Sequence, residues 1–358
     1  MKRLANELSA RSKPIYRAAI IGLGFVGAGD QVSGDAIGGQ QVSALDGTHA
    51  EALQRNTRIK LVAGSSRDLG RRERFTQRTG IKAYSDWCEM LDAEKPEIVS
   101  IATYAPSHAE ITCACAARGV RVIYCEKPIA TRLGDAEKMI STCEKAGALL
   151  VINHNRRYNI AYRRLRDEIS KGVLGELTSA SLRWGSGRLG NVGTHLIDAL
   201  CMLTRRSVEA VSGTLDSSAK TDCRGAEFSD PGGWGVMRLS GALMTTVDAA
   251  NHGAGNTQIS IYGRKARATV GREMISIEFS DGKLEQWPCL SKNESSMELA
   301  VAELIEWLDG KNTFTYPAAD SVRILEAIMA FHVSHSRKSC WVELPLKGAE
   351  RNYEVLSG

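Results

Sequence analysis

Residues 17–27 read Arg-Ala-Ala-Ile-Ile-Gly-Leu-Gly-Phe-Val-Gly. A short apolar run leads directly into G-x-G-x-x-G, with glycines at Gly22, Gly24 and Gly27. The pattern alone is weak; it gains meaning from a strand before it, a helix after it and an alternating α/β chain around it. In that setting Gly22 permits the tight turn, Gly24 lets the backbone approach a pyrophosphate, and Gly27 lets the helix pack closely on the strand. The amides of Phe25 and Val26, at the start of the following helix, would then face the phosphates. The expectation is a dinucleotide-binding turn, against the alternative of a glycine-rich turn with no ligand.

The surrounding chain supplies that setting. Apolar runs at 18–22, 60–64, 97–101, 121–125 and 149–153 are rich in Val and Ile and lack polar alternation. Strands buried on both faces of a parallel sheet read this way. Helical segments near 68–79, 107–118 and 133–146 lie between them, the last followed by Gly147 as a C-terminal cap. This predicts a doubly wound α/β Rossmann domain over residues 1–153, with an N-terminal extension (1–16) and a glycine-rich insertion (28–48). Beyond residue 155, a helix at 160–171 precedes strand-like segments at 177–184, 208–214, 234–239, 243–249, 257–262 and 274–279. Several of these alternate apolar and polar residues, as an antiparallel sheet with one covered face does. With helices at 295–309 and 320–336, residues 154–358 read as an α+β domain built on an open, predominantly antiparallel sheet.

Composition narrows the class. A chain of 358 residues with 43% hydrophobic and 24% charged residues can bury a sizeable core. The net charge of +5 is dispersed, and the densest basic run, Arg71-Arg72-Glu73-Arg74, reads as one helix face, so no nucleic-acid partner is expected. Nine cysteines, an odd number without a C-x-x-C pair, suit core thiols in a reducing compartment and give no metal site. No apolar leader segment precedes the first strand, and no run reaches the roughly 20 residues of a membrane span, so a soluble cytoplasmic protein is expected.

The end of the second strand bears on which dinucleotide binds. An acidic residue there would bond the adenosine ribose, yet Ser65, Ser66 and Arg67 occupy the place, and Asp68 suits a helix start better. Hydroxyls and a forked, permanently charged guanidinium welcome a 2′-phosphate, which favours NADP over NAD. The insertion at 28–48 lies beside the crevice where ligands bind in such sheets. It reads equally as a lid or as a solvated loop.

Cys125-Glu126-Lys127-Pro128 follows the strand at 121–125, where a nicotinamide should lie. This motif, the glycine turn, the segment Ile101-Ala102-Thr103-Tyr104-Ala105-Pro106-Ser107-His108 and the segment Asn153-His154-Asn155-Arg156-Arg157-Tyr158 together resemble the Gfo/Idh/MocA oxidoreductases. Gly193-Thr194-His195-Leu196-Ile197-Asp198 and Trp341-Val342-Glu343-Leu344-Pro345-Leu346 extend the resemblance over residues 17–346, with 28–48 as the main departure. It implies hydride transfer between a nicotinamide cofactor and a sugar, cyclic polyol or related alcohol. Thr103, Glu126 and Lys127 would border the cofactor.

By the same resemblance, Lys127 holds the reacting oxygen and His195 exchanges the proton, roles that suit an ammonium and an imidazole. Many members carry an aspartate four residues before that histidine. This chain has Asn191, which can orient an imidazole but cannot neutralise it, and which also suits a helix N-cap. Tyr104, His154, Arg156, Tyr158, Trp184 and Asp198 are the candidate substrate residues. Against those roles stand an interdomain brace for Arg156, a core position for Trp184 and a helix-holding role for Asp198. Two other readings are a cofactor-retaining lyase or glycosidase using transient oxidation, and a non-catalytic dinucleotide-sensing regulator. An apolar outer face on the second sheet would need covering, so a homo-oligomer, dimer or tetramer, is expected through it.

Overall fold

The computed structural model describes residues 14–30, 46–216, 228–251, 257–290, 294–311 and 314–356. Residues 1–13 of the expected extension and 31–45 of the expected insertion lie outside them. The first domain runs β1 (Tyr16–Ile21), α1 (Phe25–Ala28), α2 (His49–Arg55), β2 (Ile59–Ser65), α3 (Leu69–Thr79), β3 (Lys82–Tyr84), α4 (Trp87–Glu94), β4 (Ile98–Ile101), α5 (His108–Ala117), β5 (Val122–Cys125), α6 (Leu133–Ala146) and β6 (Leu149–Ile152). The strands are parallel in the order β3-β2-β1-β4-β5-β6. This is the doubly wound order whose crevice opens between β1 and β4. Strand β3 was not among the apolar runs, because its three residues sit at the sheet edge and none is buried.

The second domain runs α7 (Ile160–Ser170), β7 (Leu177–Arg183), α8 (Gly193–Thr204), β8 (Val208–Leu215), β9 (Gly233–Leu239), β10 (Leu243–Asp248), β11 (Gln258–Gly263), β12 (Ala266–Val270), β13 (Met274–Phe279), β14 (Leu284–Pro288), α9 (Ser296–Leu308), α10 (Ala318–Ser336) and β15 (Val342–Glu343). Its sheet has the order β14-β13-β12-β11-β7-β10-β9-β8-β15. Among the described strands of this sheet only β7 and β10 pair in parallel. Helix α10 lays Phe331 across β8 and β9 where Gly213 and Gly235 make room; a Cβ at either would fall 2.4–2.5 Å from the ring.

Helix α9 crosses back to the first domain. Its Met297, Ala300, Val301, Leu304, Ile305 and Leu308 join a core with Tyr16, Ala18, Ile20 and Leu53. Among the described residues α2 and α9 together pack on this sheet face. Their starts are fastened to each other: Thr48 and Ser295 each form a capping box, and the Ser296 amide donates to Asp46 at 3.0 Å. The outer face of the second sheet differs from the expected apolar one. Ser179, Ser181, Arg183, Thr246, Arg238 and Arg267 alternate with the buried residues, and Trp234 and Met244 are its exposed apolar side chains on β9 and β10.

Candidate active site

Each glycine of the turn has a steric reason. Gly22 adopts φ +102°, and a Cβ there would lie 2.4 Å from the Ala102 carbonyl oxygen of the neighbouring strand end. A Cβ on Gly27 would lie 1.9 Å from the Gly22 oxygen. Gly24 opens the turn, and the guanidinium facing it belongs to Arg71, whose Nη1 is 3.3 Å from where a Cβ would stand. Arg71 Nε is buried without a hydrogen-bond partner among the described residues. Phe25 and Val26 stand half-buried in the first turn of α1. A backbone cradle with an orphaned arginine nitrogen over it fits a pyrophosphate.

At the end of β2, Ser65 is buried and its carbonyl accepts the Gly22 amide at 2.9 Å. Ser66 is half-buried and Arg67 exposed, its guanidinium 5.9 Å above the Tyr104 ring. Asp68 caps α3, accepting the Arg71 amide at 2.9 Å. Arg72 Nη1 donates to the carbonyls of Ser66 and Arg67, at 2.7 and 2.8 Å. The basic run read as a helix face therefore turns two of its arginines toward the dinucleotide crevice.

The ends of β4 and β5 are tied together where the sequence leads one to expect the nicotinamide. His108 contacts the Pro128 carbonyl through Nδ1 at 2.9 Å and the Thr103 carbonyl through Nε2 at 3.2 Å. Thr103 Oγ1 accepts the Ser107 hydroxyl at 2.8 Å. Glu126 lies beneath, 7% exposed, and gathers a buried network. His49 Nε2 is 2.9 Å from Glu126 Oε1, Asn153 Nδ2 donates to the same oxygen at 2.6 Å, and Tyr124 donates to Asn153 at 2.6 Å. The Ser100 hydroxyl meets His49 Nδ1. Burial alone would raise the Glu126 pKa; the hydrogen bond and charge of His49, with Lys127 and Asn153, overcome it and bring it down to about 2. His49 was missed at the level of sequence. It opens α2 with Thr48 before it, which reads only as a helix start.

Lys127 is half-buried and reaches across the domain junction, where its Nζ donates to Asn191 Oδ1 at 3.2 Å and to the Asn191 carbonyl at 3.4 Å. Asn191 is not a helix cap: Val192 occupies that position, and Asn191 stands one residue outside. The Gly190 and Asn191 amides both donate to the carboxylate of Asp230, at 2.6 and 2.8 Å, so Asp230 sets the loop that presents Asn191. Asp230 lies far along the chain and carried no sequence signal.

His195 sits half-buried in the first turn of α8. Burial pushes its pKa well down, and the charges of Lys127, Arg156 and His154 add to the effect. A neutral imidazole at working pH is ready to accept a proton. Its ring meets that of His154 edge-on, with centroids 6.3 Å apart. His154 is buried, neither ring nitrogen has a hydrogen-bond partner among the described residues, and burial brings its pKa down to about 4.

Three candidate substrate residues turn elsewhere. Asp198 is fully buried and accepts from Arg157, whose Nε stands 3.0 Å from both carboxylate oxygens. It anchors α8 to the turn after β6. Tyr158 is fully buried against Tyr316, with ring centroids 5.7 Å apart, because the short 3-10 turn over 155–157 points it into the core. Trp184 is fully buried, donates to the Gly187 carbonyl at 2.7 Å and supports the loop leading to Asn191. Tyr104, His154 and Arg156 remain around the junction of the two domains.

Among the described residues no cluster of His, Cys, Asp and Glu is placed to hold a metal. In the same residues no helix is long and apolar enough to cross a membrane.

Known proteins resemble this chain in sequence and in fold. Residues 16–154 match an oxidoreductase family with an NAD-binding Rossmann fold. The D-apiose dehydrogenase of Paraburkholderia graminis is 31% identical over 160 residues, which are 45% of this chain and 38% of that protein. The D-glucoside 3-dehydrogenase of Escherichia coli is 30% identical over 182 residues, 46% of this chain and 51% of that protein. The matches thus span about half or less of these relatives. The structure of the WlbA dehydrogenase from Bordetella pertussis, in complex with NADH and UDP-GlcNAcA, superposes with a TM-score of 0.73 at 19% identity. The superposition covers 93% of this chain and 100% of that one, so the two-domain fold is shared along nearly the whole length.

Proposed function

We propose that this chain, a member through residues 16–154 of the Gfo/Idh/MocA oxidoreductase family, catalyses reversible hydride transfer between a nicotinamide dinucleotide and a sugar, cyclic polyol or related alcohol. The observation that carries this reading is the meeting of Lys127 and Asn191, 3.2 Å apart across the domain junction, beside a histidine held neutral. The relatives named above act on sugars and glycosides, and the proposed substrate class follows theirs.

When bound, the nicotinamide supplies the hydride acceptor for oxidation, or the donor for reduction. The Lys127 ammonium then holds the reacting oxygen and stabilises the negative charge that develops on it. In the oxidative direction His195 takes the hydroxyl proton; in reduction it returns one. Asn191, oriented by Asp230, fixes Lys127 without adding a carboxylate beside it. Glu126, kept ionised by its hydrogen bonds to His49 and Asn153, anchors the loop from which Lys127 projects. His154, Arg156 and Tyr104 bind the remaining substrate hydroxyls or a carboxylate.

NADP is the proposed cofactor in preference to NAD. Ser66 and Arg67 stand where a ribose-binding carboxylate would repel a 2′-phosphate, with Arg72 fixing the strand end and Arg71 over the turn. A cytoplasmic location is supported by eight described cysteines that are all free thiols, four of them buried. A homo-oligomer through the second sheet is supported by Trp234 and Met244, the exposed apolar side chains of β9 and β10 on its outer face.

The test is turnover of a sugar and polyol panel with NADP or NAD, followed by reduced-nicotinamide absorbance. Stoichiometric NADPH formation with one member supports the reading. Product without absorbance change would indicate the cofactor-retaining lyase chemistry instead. Cofactor binding without turnover on a complete panel would indicate a sensor.

A further inference from the structure

We propose that the cleft between the C-terminal end of α8 and the N-terminal end of α10 is a second ligand site, taking a small di- or trianion bearing phosphate or carboxylate groups. The cleft has a volume of about 530 Å³, within the range of small-molecule sites. Among the described residues five arginines line it, Arg157, Arg166, Arg205, Arg206 and Arg323, against the single carboxylate of Asp320. They come from four places in the chain, Arg205 and Arg206 being neighbours at the end of α8, so the clustering is made by the tertiary fold.

Acidic neighbours do not neutralise them. Arg157 is paired with Asp198, Arg166 with Asp167, and Arg323 with Asp320 at 3.7 Å. Crediting each carboxylate to one arginine still leaves Arg205 and Arg206 uncompensated. Arg206 Nη1 is fixed by the carbonyls of Ser240 and Gly241, at 2.8 and 3.0 Å, which holds its fork in place. Arg166 Nη1 is likewise fixed by the Tyr316 hydroxyl at 2.8 Å, and Arg157 lies 5.1 Å from the Tyr316 ring centroid. Arg205 is exposed, and its side chain meets no hydrogen-bonding or ionic partner among the described residues. Guanidinium forks held at set positions around a concave space match the planar oxyanions of carboxylate and phosphate.

Helix-end electrostatics account for part of this arrangement only. Arg205 and Arg206 complement the negative end of α8, but Arg166 and Arg323 belong to α7 and α10 and have no such role. Across the cleft α10 begins at Pro317 without a side-chain cap, so its first-turn amides also favour an anion. The cleft is separate from the candidate active site: Arg205 lies ten residues beyond His195 on α8, about 15 Å along the axis.

The test is calorimetric titration of the full chain with inorganic pyrophosphate and, separately, citrate. One set of titrations uses the native chain, one the double variant Arg205→Gln/Arg323→Gln, and one Arg71→Gln at the dinucleotide turn. The proposal predicts one saturable equivalent in the cleft and at least a tenfold loss of affinity in the double variant. It also predicts retained binding in Arg71→Gln and an unchanged thermal midpoint, because both substituted cleft side chains are exposed. Binding of pyrophosphate alone identifies a phosphate ligand, and of citrate alone a carboxylate ligand. No saturable binding of either anion overturns the proposal. So does binding lost in Arg71→Gln but kept in the double variant.

Discussion

Replacing Glu126 with Gln tests whether the buried carboxylate beneath Lys127 is ionised and held by its neighbours. In the folded chain its pKa is about 2, against an ordinary value of 4.5. A depressed carboxylate stabilises the fold above its unfolded pKa, and that contribution is lost as pH falls toward the folded value. At pH 5.5 almost none is lost. At pH 3.5 the unfolded chain binds this proton readily while the folded chain does not, and the linkage relation gives a loss of about 1.4 kcal/mol. Glutamine keeps an oxygen acceptor for Asn153 but cannot titrate. Urea unfolding of both proteins between pH 5.5 and 3.5 should therefore show the stability gap narrowing by about 1.4 kcal/mol, with the native chain the one that loses ground. A gap constant across that range would mean that Glu126 has the same pKa folded and unfolded, and that its buried hydrogen bonds do not hold it ionised.

Three further outcomes are expected. Ser66→Asp places a carboxylate at the end of β2 and should lower the NADP-to-NAD ratio of kcat/KM at least tenfold; an unchanged ratio would remove this strand end from cofactor selection. The low pKa of His195 places the acid limb of the kcat/KM profile below pH 6.5, and a limb centred above pH 7 would contradict its role as the neutral proton acceptor. Gly235→Ala drives a methyl to within 2.5 Å of both the Phe331 ring and the Ser212 carbonyl oxygen and should cost about 1–3 kcal/mol by urea unfolding, a cost that Phe331→Leu leaves largely in place because the backbone contact stays. A change near zero would show that α10 and β8 do not pack closely against this strand.

The sequence was most legible where local pattern and tertiary role coincide. The apolar runs mark β1, β2, β4, β5 and β6 because strands buried on both faces need no alternation. The three glycines are readable because each fills a backbone requirement within a few residues of the others. Strand β3 was not legible, since an edge strand of three half-exposed residues has no apolar run. The helix expected at 295–309 is present as α9, but nothing local says that its apolar face crosses to the Rossmann sheet. The same limit applies at the site. Asp230 and His49 act through partners far away in sequence, and Arg71 turns toward Gly24 only because Asp68 starts α3 at that point. Tyr158 and Trp184 show the reverse case: aromatic residues beside functional motifs whose rings the fold turns into the core.

In the proposed function Lys127 holds the reacting oxygen while the dinucleotide turn binds the cofactor independently of it. The most direct test of this is Lys127→Ala, measured for turnover on the best panel substrate and for cofactor affinity by fluorescence titration. Turnover should be abolished while cofactor affinity stays within a few-fold of the native value. Undiminished turnover would contradict that role.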